Sequence, residues 1–431
     1  MLDQSHLSQA IRHAAQQIED WLEGPCRPSP DVFKVEGYAG TGKTTLIKHL
    51  ISRLGEEDVY CAALSGKAAH VMHSKGIKNA STIHSLIYRW EAPPAEKVQQ
   101  LQQRINATPN TPENRDRLHA LTAELRDLNQ PRFKLNRDSR LYGARVLILD
   151  EVSMVGQALA KDVLSFGRPT LVVGDPGQLP PVDGSDTGYF DRINPDIELT
   201  EPHRQEAGSP IVEFATDIRL GKPWQKYGST VSKNTMRNLG VELFYTWLSK
   251  ADQVICGFND NRRKINIELL RRGGFEGTYP TRGSEKLVCL KNDKQRGLFN
   301  GMPVALAEVH DEGHEKYFRA KVLVADESGR FTEERGEAKI YKGYFESAVD
   351  GNEQRIEADR DFRARERLVE LDWGYCITAH KAQGSEWNKV LVVNDGWGLG
   401  RKGGEDLHRR WLYTAVTRAS KRVAVVGVDR L

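Results

Sequence analysis

The octapeptide Gly37-Tyr38-Ala39-Gly40-Thr41-Gly42-Lys43-Thr44 is a complete GxxxxGKT loop, and it constrains both a local fold and a ligand. The largely apolar residues 32–35 before it have the composition of a buried strand, and residues 45–51 after it that of a helix. Glycines let backbone N–H groups turn inward around phosphate oxygens, and the N-terminus of the following helix adds partial positive charge. Lys43 is expected to reach the β- and γ-phosphates of a nucleoside triphosphate, and the Thr44 hydroxyl to bind Mg²⁺. Gly37, Gly40, Thr41, Gly42, Lys43, Thr44 and Thr45 are therefore the expected nucleotide-binding residues.

The rest of the chain alternates strand-like and helix-like segments. Leu7, Ile11, Ala14, Ile18 and Leu22 recur at three- and four-residue steps and predict an amphipathic helix leading into the loop strand. Residues 59–64 predict a strand ending at Ser65-Gly66-Lys67, and residues 145–150 and 170–175 are near-continuous apolar runs of the kind buried on both sheet faces. Residues 91–140 interrupt this alternation with Pro93-Pro94, a glutamine-rich stretch and leucines at 118, 121, 125 and 128, which predict an inserted helical pair joined around Pro109 and Pro112. Later strands are expected at 253–257, 390–393 and 422–426. Between them, β-like stretches at 286–290, 302–308 and 320–325 predict a small barrel inserted in a second α/β region.

With 39% hydrophobic residues, a 431-residue chain can bury more than one core. Its 62 Lys and Arg against 59 Asp and Glu leave a net charge of +3, so a nucleic-acid partner would need a local basic surface. The five cysteines lie far apart without a CxxC pair, which predicts neither zinc nor a disulfide framework. No basic leader or long apolar segment is present, so a soluble, intracellular chain without membrane association is expected.

Two further positions suggest chemistry. Asp150-Glu151 follows an apolar strand: Asp150 is expected to hold Mg²⁺, and Glu151 to orient and deprotonate an attacking water. Gln178 lies in the turn after the next strand, and its neutral amide can donate to a γ-phosphate and accept from water.

The ordered motifs GYAGTGKTT, DEVSM at 150–154, GDPGQLPPV at 174–182, LTEPHRQ at 199–205, ITAHKAQGSEW at 377–387 and YTAVTRA at 413–419 resemble those of superfamily 1 DNA helicases. Within that superfamily the chain is most similar to the RecD-like and Dda-like branch, whose members move 5′ to 3′ on single-stranded DNA. The segments 91–140 and 310–365 carry none of these motifs.

The resemblance implies an α/β fold of two RecA-like P-loop motor domains that hydrolyse ATP with Mg²⁺. The first would comprise residues 1–86 and 141–205, with a mainly helical wedge or pin insertion at 87–140. The second would comprise 206–284 and 371–431, with a small SH3-like β-barrel insertion at 285–370. Arg204 and Arg418 correspond to the two arginines that meet the γ-phosphate, completing a catalytic set with Lys43, Glu151 and Gln178. Ser65, Lys67, Thr82 and His84 from one domain and Thr378, His380 and Lys381 from the other would contact the strand without reading bases. Glu386 would link strand contact to the ATP cleft, and Trp90 and Phe133 are candidate wedge residues.

An adenine-reading glutamine is expected before the loop. Gln4, Gln9, Gln16 and Gln17 all compete, and Gln9 is the choice. Single-stranded DNA and duplex junctions are the expected substrates of a monomer, with a single-stranded DNA-binding protein or replication and recombination proteins as candidate partners. The competing readings are a P-loop kinase or small-molecule ATPase, and a RecD-like subunit or loader acting within a larger complex.

Overall fold

The computed structural model describes residues 8–25, 31–91, 94–109, 111–128, 132–181, 188–200, 209–281, 283, 285–325, 330–395 and 397–428. Gln4 and Arg204 lie outside these residues, as does the Trp90 side chain.

The first described element is the helix Gln9–Glu23, capped by the Ser8 side chain accepting from Ile11 N–H. The chain then enters strands β1 (Val32–Gly37), β2 (Val59–Ala63) and β3 (Ala80–Thr82). A short antiparallel hairpin, β4 (Tyr88–Glu91) and β5 (Arg132–Leu135), brackets the helices Ala95–Ala107 and Arg115–Leu128. Strands β6 (Val146–Asp150), β7 (Thr170–Gly174) and β8 (Ile197–Leu199) complete a six-stranded parallel sheet in the order β3-β2-β6-β7-β1-β8.

Burial on both faces explains the unbroken apolar runs. On β6, Val146 and Ile148 pack with Ile11, Ile18 and Leu46, whereas Leu147 and Leu149 pack on the opposite face with Ile83, Val172 and Phe190. Each fully buried aliphatic side chain contributes roughly 1.5–3 kcal/mol of transfer free energy. A polar residue on either parity of this strand would therefore disrupt a core.

Strands β9 (Val231–Thr235) and β10 (Gln253–Cys256) begin a second region, and β11 (Leu287–Cys289), β12 (Pro303–His310), β13 (Tyr317–Ala325), β14 (Phe331–Tyr341) and β15 (Leu371–Trp373) form an antiparallel sheet. Val369 bridges Ile340, so the approach to β15 reaches back to β14 at the far side of this sheet. Strands β16 (Cys376–Thr378), β17 (Trp387–Asn394) and β18 (Ala419–Gly427) join β9 and β10 in a second parallel sheet, ordered β16-β10-β17-β18-β9. Valines 390 and 392 of β17 face one core, and Leu391 and Val393 the other.

Two differences from the sequence reading stand out. The inserted helical pair rises from a β-hairpin. The antiparallel sheet also extends past residue 370, because β15 pairs with β11. Among the described residues, no helix is long and apolar enough to cross a membrane.

Candidate functional site

In both parallel sheets the residues of interest gather beyond the carboxyl ends of the strands, where open α/β sheets place their crevices. In the first sheet, β1 delivers Gly37, β6 delivers Asp150 and β7 leads into Asp175. Gly40 and Gly42 take φ of 82° and 86°, and Gly42 caps the helix Lys43–Leu54. A Cβ on Gly37 would stand 2.5 Å from the Thr41 hydroxyl and 3.2 Å from Leu199 Cβ, so any side chain there would have to displace the loop's own contacts. Lys43 Nζ is folded back onto the loop, donating to the carbonyls of Gly37 at 2.6 Å and Tyr38 at 2.9 Å. Thr41 Oγ1 donates to Tyr38 O. Thr44 and Thr45 follow in the first turn of the helix.

Carboxylates face this loop. Burial, followed by the charge of Glu151, pushes Asp150 up to about 6, while Lys43 pulls it down. Glu151 sits at φ 55°, a left-handed conformation that costs a non-glycine residue of order 1–3 kcal/mol and is typical of functional turns. Asp175 is also buried and raised, first by desolvation, with Lys43 opposing it. Among the described residues, no group of three His, Cys, Asp or Glu side chains forms a metal cage. Mg²⁺ commonly takes one or two carboxylates plus substrate phosphates, so the absence of a cage is compatible with a metal that arrives with nucleotide.

The second parallel sheet reaches this loop through side chains that the sequence reading did not single out. The Tyr413 hydroxyl accepts from Ala39 N–H and donates to Asp175 Oδ2, both at 2.9 Å. The Arg219 guanidinium stacks 3.9 Å from the Tyr38 ring centroid and donates to its hydroxyl. Tyr38, Ala39, Gly40, Arg219, Glu386 and Tyr413 all line one narrow cleft. Tyr413 and Asp175 lie inside motifs already quoted, whereas Arg219 belongs to none.

Arg418 is buried but bonded within its own region, donating from Nε to Thr414 O, from Nη2 to Thr417 Oγ1 and from Nη1 to Ser385 O. It makes no hydrogen bond to the 37–44 loop among the described residues. Gln178 is 2% exposed, and its Oε1 has no hydrogen-bond partner. Gln9 is exposed in the first turn of its helix and is not among the residues lining this cleft.

A second cavity, of about 370 Å³, collects Ser65, Lys67, Thr82, His84, His380 and Lys381, together with Glu151, Gln383, Asn292 and Asn300. Thr378 is buried at the end of β16, just behind it. The Ser65 and Thr82 side chains cap the helices Gly66–Ser74 and Ile83–Ile87, which fixes their positions. Lys67, expected to contact the strand, is buried at the cavity wall and donates to Gly301 O at 2.8 Å. Desolvation, then the charges of Arg418 and Lys286, bring it down to about 7. Burial also lowers His84 and His380 below the ordinary histidine value. Both side-chain amide atoms of Gln383 are buried without a hydrogen-bond partner, a missed residue whose only sequence signal was its motif. From His84 an aromatic row continues through Tyr88, at 5.6 Å, to Phe133, at 6.4 Å from Tyr88 and 57% exposed.

Two parallel sheets, one bearing a P-loop and the other closing on it, define a two-lobed nucleotide-handling class. The model of an AAA domain matches residues 25–237, and that of the UvrD-like helicase C-terminal domain matches 374–426. An ATP-dependent RecD2 DNA helicase of Deinococcus radiodurans is 27% identical over 301 residues, covering 65% of this chain and 36% of that protein. The ATP-dependent DNA helicase dda of Enterobacteria phage T4 is 33% identical over 203 residues, covering 44% of this chain and 38% of that protein. The chain thus spans less than two fifths of these two relatives. A Bacteroides Pif1 helicase, solved with ADP-AlF3 and ssDNA, shares the fold at a TM-score of 0.52 and 18% identity, covering 98% of this chain and 92% of that one. Across both family models and these relatives, the chain is similar to the RecD-like and Dda-like branch of the superfamily 1 helicases.

Proposed function

We propose that this chain is an ATP-dependent DNA helicase and translocase that moves 5′ to 3′ on single-stranded DNA, using ATP and Mg²⁺. The observation that carries this reading is the 370 Å³ cavity, where side chains of both lobes meet and the orphaned Gln383 amide awaits a partner. Short hydroxyls, amides and neutral imidazoles suit a phosphodiester strand held without base readout. Glu151 lines that cavity and also acts electrostatically on Asp150 and Asp175, so strand and nucleotide would be felt by one carboxylate.

The loop residues suit a triphosphate: a lysine ammonium already held by two loop carbonyls, and a buried carboxylate whose raised value a cation would reverse. Thr44 and Asp150 would hold Mg²⁺, which supplies charge neutralisation at the phosphates. Glu151 would orient and deprotonate water, Gln178 would report the γ-phosphate, and Arg418 would add positive charge on closure. Arg204, the second arginine, lies outside the described residues.

In this reading residues 1–86 and 141–205 form the first RecA-like domain, and 206–284 with 371–431 the second. Residues 285–370, with β15, act as an SH3-like cover over the strand, and 87–140 as the wedge subdomain. Of the two wedge candidates only the Phe133 side chain is described, and it is exposed on the hairpin with Tyr88 behind it anchored to Asp162. Phe133→Ala is expected to reduce strand separation about tenfold relative to ATP hydrolysis, the scale of one lost base–aromatic stack. Unwinding and phosphate release measured in parallel would reveal it, and equal changes in both would remove Phe133 from the wedge.

Lys67 gives a pH prediction. Below about 7 it carries a charge against the channel, and above that value it is neutral. Single-strand affinity should therefore fall as pH rises through neutrality, with the salt slope shrinking by about 0.7 for one lost phosphate contact. Lys67→Met should bind more weakly at low pH and lose this step. Parallel titrations of the two proteins would show that the strand does not feel Lys67.

The decisive experiment offers two partial duplexes, one with a 5′ tail and one with a 3′ tail, to the isolated chain with ATP and Mg²⁺. Preferential unwinding of the 5′-tailed substrate is expected. A 3′ preference would overturn the polarity, and hydrolysis indifferent to single-stranded DNA would overturn the motor reading.

A further inference from the structure

We propose that Tyr413 is a positioning residue whose hydroxyl couples nucleotide occupancy of the 37–44 loop to strand occupancy of the 370 Å³ cavity. This rests on the reading of the chain as a strand-stimulated ATPase. Residues 397–416 form two helices that meet at a kink at Gly404, and one face of the second, which ends at Val416, grips residues 175–179 of the first lobe at three points. Arg410 Nη2 donates to Pro176 O at 2.9 Å, Tyr413 donates to Asp175 Oδ2, and Leu179 N–H donates to Thr414 Oγ1 at 3.1 Å. The spacing 410, 413, 414 is that of neighbours on a helix surface. Gly177 fits against the Tyr413 ring so closely that a Cβ there would stand 2.9 Å from Cε1.

What sets Tyr413 apart is its second bond. A phenolic hydroxyl has one proton to donate and lone pairs to accept. Here the proton goes to Asp175 and a lone pair takes the Ala39 N–H, an amide of the very loop that would cradle phosphates. A triphosphate entering that loop competes for its N–H groups and so acts directly on this bridge. Beside the bridge, the Gln178 backbone N–H donates to Asp175 O at 3.1 Å, whereas its side-chain amide has a single long bond, 3.4 Å to Asp175 Oδ2, and its buried oxygen has no partner among the described residues. The amide is therefore held in place while one of its polar atoms remains open to a ligand.

The same helix carries the other end of the connection. Thr414 O accepts from Arg418, whose guanidinium also donates to Ser385 O, next to Gln383 and Gly384 in the cavity wall. A displacement of 383–385 by a bound strand therefore reaches Tyr413 through one helical turn. The coupling is thermodynamic, so it must work in both directions by the same factor when measured as binding.

The test measures coupling rather than activity alone. For wild type, Tyr413→Phe and Thr414→Val, ATP turnover is followed with and without a single-stranded oligonucleotide, and oligonucleotide affinity with and without a non-hydrolysable ATP analogue. Tyr413→Phe keeps the ring against Gly177 and loses both hydrogen bonds. It is expected to reduce strand stimulation of turnover by about tenfold, the scale of one lost bond to a charged group. The analogue's effect on strand affinity should fall toward none. Thr414→Val, which removes only the neighbouring bond, should shift both ratios in the same direction by less. If Tyr413→Phe does not fold, Thr414→Val decides. A folded Tyr413→Phe protein with both ratios at wild-type values would overturn the proposal, as would uniform loss of activity with both ratios intact. Wild type without any strand stimulation would instead overturn the proposed function on which it rests.

Discussion

Lys43→Ala is expected to reduce ATP hydrolysis by about 10³-fold and to abolish strand separation, the scale seen when one preorganised charge-stabilising donor is removed from an enclosed site. The ammonium is already drawn into the loop by the Gly37 and Tyr38 carbonyls, so little reorganisation is needed for it to meet a phosphate. Alanine removes that charge and the Lys43 bond to Gly37 O, while Tyr38 O keeps the Thr41 hydroxyl as a donor. Both effects are local. Lys43 is not among the side chains lining the 370 Å³ cavity, so nucleotide-free strand affinity should stay within about threefold, or under 1 kcal/mol. Phosphate release and strand-displacement assays on the same preparation separate these outcomes. Wild-type unwinding by Lys43→Ala would exclude a motor driven from this loop.

How much of this was legible in the chain depended on sequence distance. Strands β6 and β7 announce themselves because both faces are buried, and the Ala95–Ala107 and Arg115–Leu128 helices because Leu101, Leu121 and Leu128 pack together. The hairpin β4–β5 was hidden. Its strands are only four residues long, so the alternation of apolar and charged side chains in each is too short to stand out from the surrounding charged segment. Strand β14 was missed for a related reason: only Ala338, Ile340 and Tyr341 are buried along its eleven residues. In the same way, the loop and Asp150-Glu151 are local patterns. Lys67 looks like a solvent-facing cation until Gly301, 234 residues away, closes over it. Tyr413 meets Asp175 across 238 residues, and no spacing rule anticipates that. Arg219 had no motif at all, yet it covers the Tyr38 ring at the cleft.

Arg418→Ala is expected to cut ATP turnover by about 10³-fold or more, the range for arginines that neutralise charge in phosphoryl transfer, with the ATP KM changed far less. The side chain also carries structure. Its loss leaves the Thr414 and Ser385 carbonyls without this donor, which should cost about 1–3 kcal/mol and lower the unfolding midpoint. Arg418→Lys separates the two roles. A lysine keeps the positive charge but cannot reproduce a planar fork that bonds Thr414, Thr417 and Ser385 together. If turnover depends on charge alone, lysine should restore most of it, and if on the guanidinium's geometry, little. The proposed mechanism requires the second result, because the same fork that faces the nucleotide on closure is the one anchored to the strand segment. Turnover within about threefold of wild type in Arg418→Ala would mean that the residue only secures Ser385, too small an effect for transition-state charge stabilisation. The cleft's catalytic cation would then have to be sought elsewhere, and Arg219, already stacked on Tyr38 beside the loop, would be the first to replace.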